Sequence, residues 1–416
     1  MKDESAVQPN EKIPLPGSYL LIAGSALHFR SNHLMKHLPG VLEPFTENLD
    51  VMGSWSAYNG PDRSRIIRLL LGFWNIFRNP KGISTLGNAR VINGRRLHLP
   101  VILHWMIQDI WLYWVLRKEL RPRYEIVIAG GPDSVLFAWF LKKFGRVGTV
   151  VYYDYDYFPY VHDYRGYKKL VRYLVDLRER IGLKLASEIV SVSRPLVELR
   201  QRQGAALVSL IPNGVDVDRF TKAREDSLGD RSPTIIYTGT IDERWGIDLA
   251  IDAMPQILRK FPGARLIIVG EGPDEGNLKQ RVARLELDGS VEFMGKRPYD
   301  ELPKIMANAD IGVASSRPDI FRFYASPLKL VEYMAAGLAV ICSGGGEAEM
   351  MVNESGAGTN IEFSADQFAE AAIMMLSEPD VMQQLRTKGM QYAQSRSWNC
   401  VGEKLFEVLE RHADPS

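Results

Sequence analysis

The stretch SPLKLVEYMAAGLAVICSGGG, residues 326–346, decides the fold because it joins a helix signature to a buried strand and a glycine turn. Ser326 is a typical N-cap residue, Pro327 suits the first helical position, and Gly337 suits the position just past a helix. These signals predict a helix of about three turns. The apolar run AVICSG (339–344) predicts a strand of a parallel sheet.

The same alternation of apolar runs and amphipathic segments extends upstream to Thr234. We expect buried strands at TIIYTG (234–239), ARLIIVGEG (264–272), SVEFMG (290–295), IGVASS (311–316) and AVICSG (339–344). Between them we expect helices around 247–260, 274–286, 299–308 and 327–336. Strands that alternate with crossover helices predict a complete Rossmann-like domain.

The N-terminal half repeats this pattern less regularly. Its candidate strands are YLLIAG (19–24), EIVIAG (125–130), TVVYYD (149–154) and EIVSVS (188–193), with helices expected at 63–78, 101–118, 133–144 and 164–186. A turn cluster at 212–214 marks the domain boundary. We therefore predict an α/β protein with a disordered segment (1–12), two Rossmann-like domains (13–210 and 211–395) and a C-terminal helix (396–416) that packs back toward the N-terminal domain.

Composition limits the classes of function. The 416 residues are 46% hydrophobic and 24% charged, as in globular proteins, and 51 Lys and Arg against 50 Asp and Glu give no global reason to expect a nucleic acid partner. Cys342 and Cys400 show no metal-ligand spacing, which favours a reducing cytoplasm. No signal peptide or membrane-spanning run is evident, so we expect a soluble or membrane-surface protein.

Lys329 carries the first functional signal. It falls in the first turn of the predicted helix, where the helix dipole disfavours a cation unless an anion lies in front of it. A phosphate there would be held by Lys329, the Ser326 hydroxyl and backbone N–H groups. Glu332 lies one turn deeper on the same face, within reach of a ribose. A solvated Lys/Glu pair on a surface helix is an equally good interpretation of these two residues taken alone.

Position in the sheet favours the binding interpretation. Ligands collect outside the carboxyl ends of parallel strands, and the helix at Lys329 follows such a strand. The next strand runs into Gly344, Gly345 and Gly346, whose backbone can approach a phosphate closely. A plain flexible turn is the alternative, and the location favours binding over it.

The segment from about Ile211 to Trp398 resembles the donor domain of the GT4-like glycosyltransferases. The resemblance rests on the order and spacing of IPNGVD (211–216), VGEGP (269–273), VEFMG (291–295), ADIGVASS (309–316), PLKLVEYMAAGLAVI (327–341) and GGxxE (345–349). It implies the GT-B fold, in which two Rossmann-like domains face each other across a cleft. It also implies a nucleoside-diphosphate sugar donor and a retaining, metal-independent transfer.

Matched by position, Glu332 corresponds to the family glutamate that holds the donor ribose. This chain departs from the family at Tyr324, which replaces a second glutamate, and at Thr240 and Trp245, which replace an arginine and a lysine. Arg244 and Lys329 remain as the cations for the diphosphate. The predicted donor-binding set is Gly24, Ser25, Gly239, Arg244, Gly272, Tyr324, Ser326, Pro327, Leu328, Lys329, Glu332, Gly345 and Gly346.

The acceptor side is predicted from VVYYDYDYFP (150–159) and the loop after the first strand. Asp154 and Asp156 form an Asp-x-Asp pattern that binds a divalent metal in another glycosyltransferase architecture, but the pattern is short and we expect no metal and no other cofactor. We predict His28, Asp154 and Asp156 on the acceptor side, and Asp156, Lys329 and Glu332 as catalytic residues. A turn-forming Asp156 and a structural His28 are the alternatives.

Residues 61–125 hold twelve Lys or Arg and four acidic residues. Apolar residues from Ile66 to Phe77 recur at helical spacing, with Arg65 and Arg68 on the other face, which favours contact with an anionic membrane. The tryptophan-rich stretch 101–118 fits such contact too, although a core helix is slightly favoured there.

We therefore expect a cytoplasmic glycosyltransferase of the hexosyltransferase type, with a peripheral location on the inner face of the plasma membrane as the expected site of membrane contact. It would move a sugar from a UDP- or GDP-sugar to a hydroxyl acceptor, a lipid-linked or cell-surface glycan, with retention. A sugar phosphorylase or epimerase on the same fold and an inactive GT-B binding subunit are the alternatives.

Overall fold

A computed structural model describes residues 14–22, 33–55, 81–86, 88–95, 101–160, 168–225 and 232–413. Within them the chain forms two α/β domains, each built on its own sheet. Four predictions therefore lie outside the described residues: the disordered segment 1–12, the loop residues Gly24, Ser25 and His28, the helix 63–78, and the arginines within that helix.

The N-terminal sheet has eight strands, more than the four predicted. They are Leu15–Ile22 (β1), Thr46–Trp55 (β2), Lys81–Leu86 (β3), Ala89–Arg95 (β4), Tyr124–Gly130 (β5), Val147–Asp154 (β6), Glu188–Ser191 (β7) and Val208–Leu210 (β8). Their spatial order is β3-β4-β2-β1-β5-β6-β7-β8, and the pairing is parallel except between β3 and β4. The prediction missed β2, β3, β4 and β8.

The C-terminal sheet has the five predicted strands and one more. They are Thr234–Thr238 (β9), Arg265–Val269 (β10), Val291–Gly295 (β11), Ile311–Ala314 (β12), Ala339–Ser343 (β13) and Gly358–Ile361 (β14). The order β11-β10-β9-β12-β13-β14 is fully parallel and is that of a Rossmann sheet. The direction of winding reverses between β9 and β12, where such sheets place their ligands.

Helices cover both sheets. Those of the first domain are His33–Leu42 (α1), Val101–Leu116 (α2), Val135–Lys143 (α3), Lys168–Leu185 (α4) and Arg194–Arg202 (α5). After Val217–Glu225 (α6) come Asp248–Lys260 (α7), Glu275–Arg284 (α8), Leu302–Met306 (α9), Ile320–Tyr324 (α10), Leu328–Ala335 (α11), Glu347–Ser355 (α12), Ala365–Ser377 (α13), Pro379–Gln394 (α14) and Trp398–His412 (α15). None of the helices described is long and apolar enough to cross a bilayer.

The last helix, α15, belongs to the core of the N-terminal domain. Val401, Leu405, Val408 and Leu409 are buried in the cluster that also contains Tyr19 of β1. The chain crosses between the domains near residues 211–215 and 395–397, and a parallel bridge between Val215 and Ser397 ties the two crossings together.

Helix α2 packs on the sheet through one side. Leu112, Tyr113 and Leu116 are buried in the core, and the Asp109 carboxylate accepts a 2.7 Å hydrogen bond from Arg178 of α4. Burial raises the pKa of Asp109 to about 7, against the opposing effect of Arg178. The prediction that 101–118 is a core helix therefore holds for the side of α2 that faces the sheet. On the other side, Trp114 is 58% exposed.

The two sheets face each other through their carboxyl ends. Ser193, just after β7, donates a 2.6 Å hydrogen bond from Oγ to the carbonyl oxygen of Tyr324. The Arg194 N–H donates to Glu347 Oε2 at 2.9 Å. The rings of Tyr157 and Tyr324 lie 4.9 Å apart across the same gap. The architecture is the predicted pair of Rossmann-like domains facing across a cleft.

Candidate active site

The predicted phosphate-binding helix begins one residue later than expected, at Leu328. Pro327 occupies the N-cap position of α11 without a side-chain cap, whereas the carbonyl oxygen of Ser326 accepts a 3.0 Å hydrogen bond from Asn213 Nδ2. The prediction that Ser326 is the N-cap is therefore wrong. The Leu330 N–H donates to the Pro327 carbonyl oxygen at 3.2 Å, and because the first turn lacks a side-chain cap, the N–H groups before it can bind a ligand.

The Lys329 ammonium is shielded from solvent and has no hydrogen-bond partner. It lies 4.1 Å from the ring centroid of Tyr237 and 4.3 Å from that of Trp245. A Cβ at Gly239 would be 3.1 Å from Nζ, so Lys329 sits at the carboxyl end of β9, at the point where the sheet reverses. This placement contradicts the alternative of a solvated Lys/Glu surface pair.

Burial, together with the nearby positive charge of Arg322, lowers the pKa of Lys329 to about 7 against the opposing effect of Glu332. An ammonium held among aromatic rings without a hydrogen-bonded partner is unfavourable, because the rings replace only part of its hydration. An anion placed against Nζ would remove this penalty and restore the charged form.

Glu332 lies one turn deeper in α11 and is 7% exposed. Its Oε1 accepts a 3.0 Å hydrogen bond from the Tyr299 hydroxyl, and burial raises its pKa. Tyr299 was not predicted. Its hydroxyl fixes one oxygen of the carboxylate and leaves Oε2 for a ligand hydroxyl.

Arg322 is a cation that sequence reasoning missed. It is 8% exposed, its guanidinium carbon lies 3.2 Å from the ring centroid of Trp245, and its Nε has no partner. Burial, followed by repulsion from Arg244, lowers its pKa to about 10. The ring of Trp245 therefore contacts both Arg322 and Lys329. The signal in the sequence was an aromatic residue in place of the family lysine, since such a ring can hold a cation from elsewhere.

Arg244 is less available than predicted. Its Nε donates a 2.9 Å hydrogen bond to Asp242 Oδ1, and the side chain is 44% exposed. This pair lowers the pKa of Asp242.

The glycine positions are set by close approaches of the backbone. Gly346 has a φ of 68°, and a Cβ there would lie 2.2 Å from the Phe323 carbonyl oxygen. Gly272 is similarly constrained, because a Cβ would lie 2.1 Å from the Ile241 carbonyl oxygen. Gly345 has a φ of 74°, and a Cβ there would lie in ordinary van der Waals contact with Glu349 Oε2 at 3.7 Å. The positive φ angles at 344–346 explain why glycine occupies all three positions, and phosphate binding by this turn stays a prediction.

The acceptor-side prediction is wrong for Asp154. Its carboxylate is fully buried and bound by Arg200, with Nε and Nη2 each donating at 2.8 Å, while Ser191 Oγ donates at 3.0 Å. Both oxygens are therefore occupied inside the N-terminal domain. This arrangement also removes Asp154 from any Asp-x-Asp metal site. Among the residues described, no cluster of three or more metal-binding side chains occurs.

Asp156 lies two residues beyond the end of β6, at the cleft. Burial, together with the negative charge of Asp154, raises its pKa to about 7, and the positive charge of Arg322 opposes the shift. Asp156 is therefore within electrostatic range of Arg322.

Aromatic side chains line a cavity of about 570 Å³ between the domains. Tyr157 and Tyr160 come from the N-terminal side, and Phe323 and Tyr324 come from the C-terminal side. Tyr324, predicted as a donor residue, therefore belongs to the wall that the two domains share.

Comparison with known proteins identifies the family. The family described as Glycosyltransferase Family 4 matches residues 63–219, and Glycosyl transferases group 1 matches residues 218–394. The chain belongs to the GT4-like glycosyltransferases. The recognition made from the C-terminal motifs is thereby confirmed.

This GT4-like chain is similar to curated mannosyltransferases over about half its length. A GDP-mannose-dependent monoacylated alpha-(1-6)-phosphatidylinositol monomannoside mannosyltransferase of Corynebacterium glutamicum is 30% identical over 213 residues, which cover 48% of this chain and 55% of the relative. A phosphatidyl-myo-inositol mannosyltransferase of Mycobacterium tuberculosis is 28% identical over 207 residues, covering 48% and 53%. The chain spans about half the length of the curated relatives it matches.

Solved structures support the fold of this GT4-like protein. A sucrose-phosphate synthase from Thermosynechococcus elongatus superposes with a TM-score of 0.72 at 18% identity, covering 95% of this chain and 99% of that chain. Anabaena HepE in complex with UDP gives 0.68 at 17% identity, covering 95% and 100%. The GT-B prediction is confirmed.

Proposed function

We propose that this GT4-like protein transfers a sugar from a nucleoside-diphosphate sugar, held by the C-terminal domain, to a hydroxyl acceptor held across the cleft. The observation that carries the proposal is the pair of cations on Trp245. Lys329 Nζ and Arg322 Nε are both buried without a hydrogen-bond partner, beside the uncapped first turn of α11. Two such cations and free N–H groups fit a diphosphate.

The mechanism follows from where charge develops. As the bond between the sugar and the diphosphate breaks, negative charge grows on the leaving phosphate oxygens, and preorganised cations stabilise it. Lys329 and Arg322 would meet this charge, and Glu332 would accept hydrogen bonds from the ribose hydroxyls. Asp156, which follows β6 and is within electrostatic range of Arg322, would contact the acceptor or the transferred sugar. We propose transfer with retention and without a metal, as the family resemblance implies.

We propose GDP-mannose as the first candidate donor, ahead of other sugar nucleotides. The relatives at about 30% identity are named for GDP-mannose or for transfer of mannose. HepE, at 17% identity, has been solved with UDP, so a UDP-sugar is the second donor to test.

The acceptor is proposed to be a lipid-linked glycan. Tyrosine rings line the 570 Å³ cavity, and aromatic faces suit the apolar faces of sugar rings. The relatives are named for phosphatidylinositol acceptors, which combine an inositol or mannose headgroup with lipid chains. A cytoplasmic protein attached to the membrane periphery fits such an acceptor.

Titration calorimetry with GDP-mannose, GDP, UDP-glucose and UDP tests the donor site in wild type, Lys329→Met and Lys304→Met. Lys304 is an exposed lysine of the same domain and serves as the control. We expect the wild type and Lys304→Met to bind one nucleotide series equally and Lys329→Met to bind it at least about tenfold more weakly, because a charge-assisted hydrogen bond to a phosphate is lost. Equal binding by all three proteins would refute the site.

A further inference from the structure

Three helices of the N-terminal domain present apolar side chains to solvent on one surface. Helices α2, α3 and α4 pack against one another over one face of the sheet. Among the described residues, seven of the eleven large hydrophobic side chains that are exposed lie on these helices or directly after α3: Ile110, Trp114, Trp139, Phe144, Leu170, Tyr173 and Leu177. We call this set the three-helix surface. Such clustering marks an interaction site.

The apolar side chains of α4 are not needed by the core. Leu170, Tyr173 and Leu177 recur at helical spacing and are 41–61% exposed, whereas Val171 and Val175 are buried on the opposite side. Helix α4 therefore carries one apolar stripe toward the sheet and a second toward solvent.

The charges around this surface are basic. The exposed charged residues on the described parts of the three helices are Lys142, Lys143, Lys169, Arg172, Arg180 and Lys184. The acidic residues on the described parts of the three helices all form ion pairs. Asp109 and Glu179 are buried in theirs, and Asp176 pairs with Arg180. A surface of aromatic and leucine side chains with a basic rim is complementary to an anionic bilayer.

The surface is continuous with the cleft. Arg172 of α4 donates a hydrogen bond to the Tyr160 hydroxyl, and its guanidinium carbon lies 4.2 Å from the Tyr160 ring centroid. Tyr160 lines the cavity between the domains. A headgroup that projects from a bilayer on this surface would meet the cavity at its mouth.

We propose that the three-helix surface docks on an anionic lipid bilayer and thereby presents a lipid-linked acceptor to the cleft. The proposal rests on the proposed function, since it names where that acceptor is embedded. A second copy of the chain is a poor occupant, because a two-fold contact through this surface would bring the two basic rims together. The surface is distinct from the segment 63–78, which lies outside the described residues.

Co-sedimentation with vesicles tests the proposal. The vesicles contain either pure phosphatidylcholine or equal parts phosphatidylcholine and phosphatidylglycerol. Leu177→Gln is compared with Met374→Gln, a matched exposed apolar residue of the C-terminal domain (41% and 44% exposed). Lys184→Gln is compared with Lys304→Gln, and all four side chains are partly or fully solvated, so the fold is retained.

We expect wild type to bind the anionic vesicles more strongly. Leu177→Gln should reduce partitioning about tenfold at all salt concentrations, through lost apolar burial. Lys184→Gln should reduce it about fivefold at low salt only, since one charge near such a surface contributes about 1 kcal/mol. Met374→Gln and Lys304→Gln should bind like wild type.

The proposal is overturned if wild type stays in the supernatant with anionic vesicles at low salt, or if the surface variants bind like their controls. A dimer in light scattering that Leu177→Gln converts to a monomer would also overturn it, in favour of a second copy. Nucleotide binding is measured on the same preparations. Retained nucleotide binding without vesicle binding overturns this inference alone, whereas vesicle binding without nucleotide binding overturns the proposed donor site.

Discussion

Donor affinity should fall as pH rises above about 7, because of Lys329. In the free protein burial lowers the pKa of Lys329 from 10.5 to about 7, so the amine is largely neutral one pH unit above that value. A diphosphate against Nζ favours the charged form and raises this pKa. Binding therefore takes up a proton above pH 7, and the association constant should fall roughly tenfold per pH unit there. Below pH 7 the affinity should not depend on this group.

The size of the effect follows from the shift. At about 1.4 kcal/mol per pKa unit, the change from 10.5 to about 7 corresponds to on the order of 4–5 kcal/mol by which the free site disfavours the ammonium. The same linkage acts on stability. The unfolded chain binds more protons than the folded chain between pH 7 and 10.5, so the free protein loses stability as pH falls through this range. Lys329→Met should therefore stabilise the free protein at pH 7 by at least about 1 kcal/mol while weakening nucleotide binding.

Calorimetry in two buffers of different ionisation enthalpy measures the proton uptake directly. Above pH 7 we expect wild type to take up close to one proton more than Lys329→Arg, whose guanidinium stays charged throughout. Asp156 also has a pKa of about 7 and is within electrostatic range of Arg322, so its titration adds to the wild-type curve. The Lys329→Arg curve isolates that contribution. If wild type and Lys329→Arg show the same pH slope and the same proton uptake, Lys329 does not contact the diphosphate.

Three further outcomes are expected. Arg322→Gln should weaken nucleotide binding at least about tenfold. Arg244→Gln should weaken it less than about threefold, because Arg244 is already paired with Asp242. If calorimetry shows the reverse order, Arg322 is not the cation that binds the diphosphate. Asp154→Asn should lower the free energy of unfolding by about 3–5 kcal/mol, because it leaves the Arg200 charge buried without its bidentate partner. Asp156→Asn should keep the wild-type denaturation midpoint but lower turnover. Urea unfolding measures the stability of the two variants, and an activity assay measures turnover. Turnover should be unchanged by EDTA, because cations of the protein meet the diphosphate charge. If EDTA abolishes activity and Mg²⁺ or Mn²⁺ restores it, the reaction depends on a metal ion.

The C-terminal domain was predictable because its strands are short, apolar and regularly separated by helices. The N-terminal strands β2, β3 and β4 escaped prediction because they contain polar and glycine residues, as in TENLDVMGSW (46–55). Strand β8 has only three residues, too few to show a period.

The site was partly predictable for a similar reason. Lys329 and Glu332 share one helix, so their spacing alone places them on one face. Arg322 and Trp245 are far apart in sequence and meet only in the folded domain. Asp154 was misassigned because it is the last residue of β6, and the strand pattern does not show that its partner is Arg200 of helix α5.

The return of α15 to the N-terminal domain has a consequence for the order of folding during synthesis. The cluster around Tyr19 and Leu21 is completed by Val401 and Leu405, which leave the ribosome only after the whole C-terminal domain. The domain that is made first is therefore finished last, while the C-terminal domain has its own contiguous core from Ile235 to Met382. Until α15 arrives, the nascent N-terminal domain exposes an apolar groove, and this is the stage at which a chaperone would bind it.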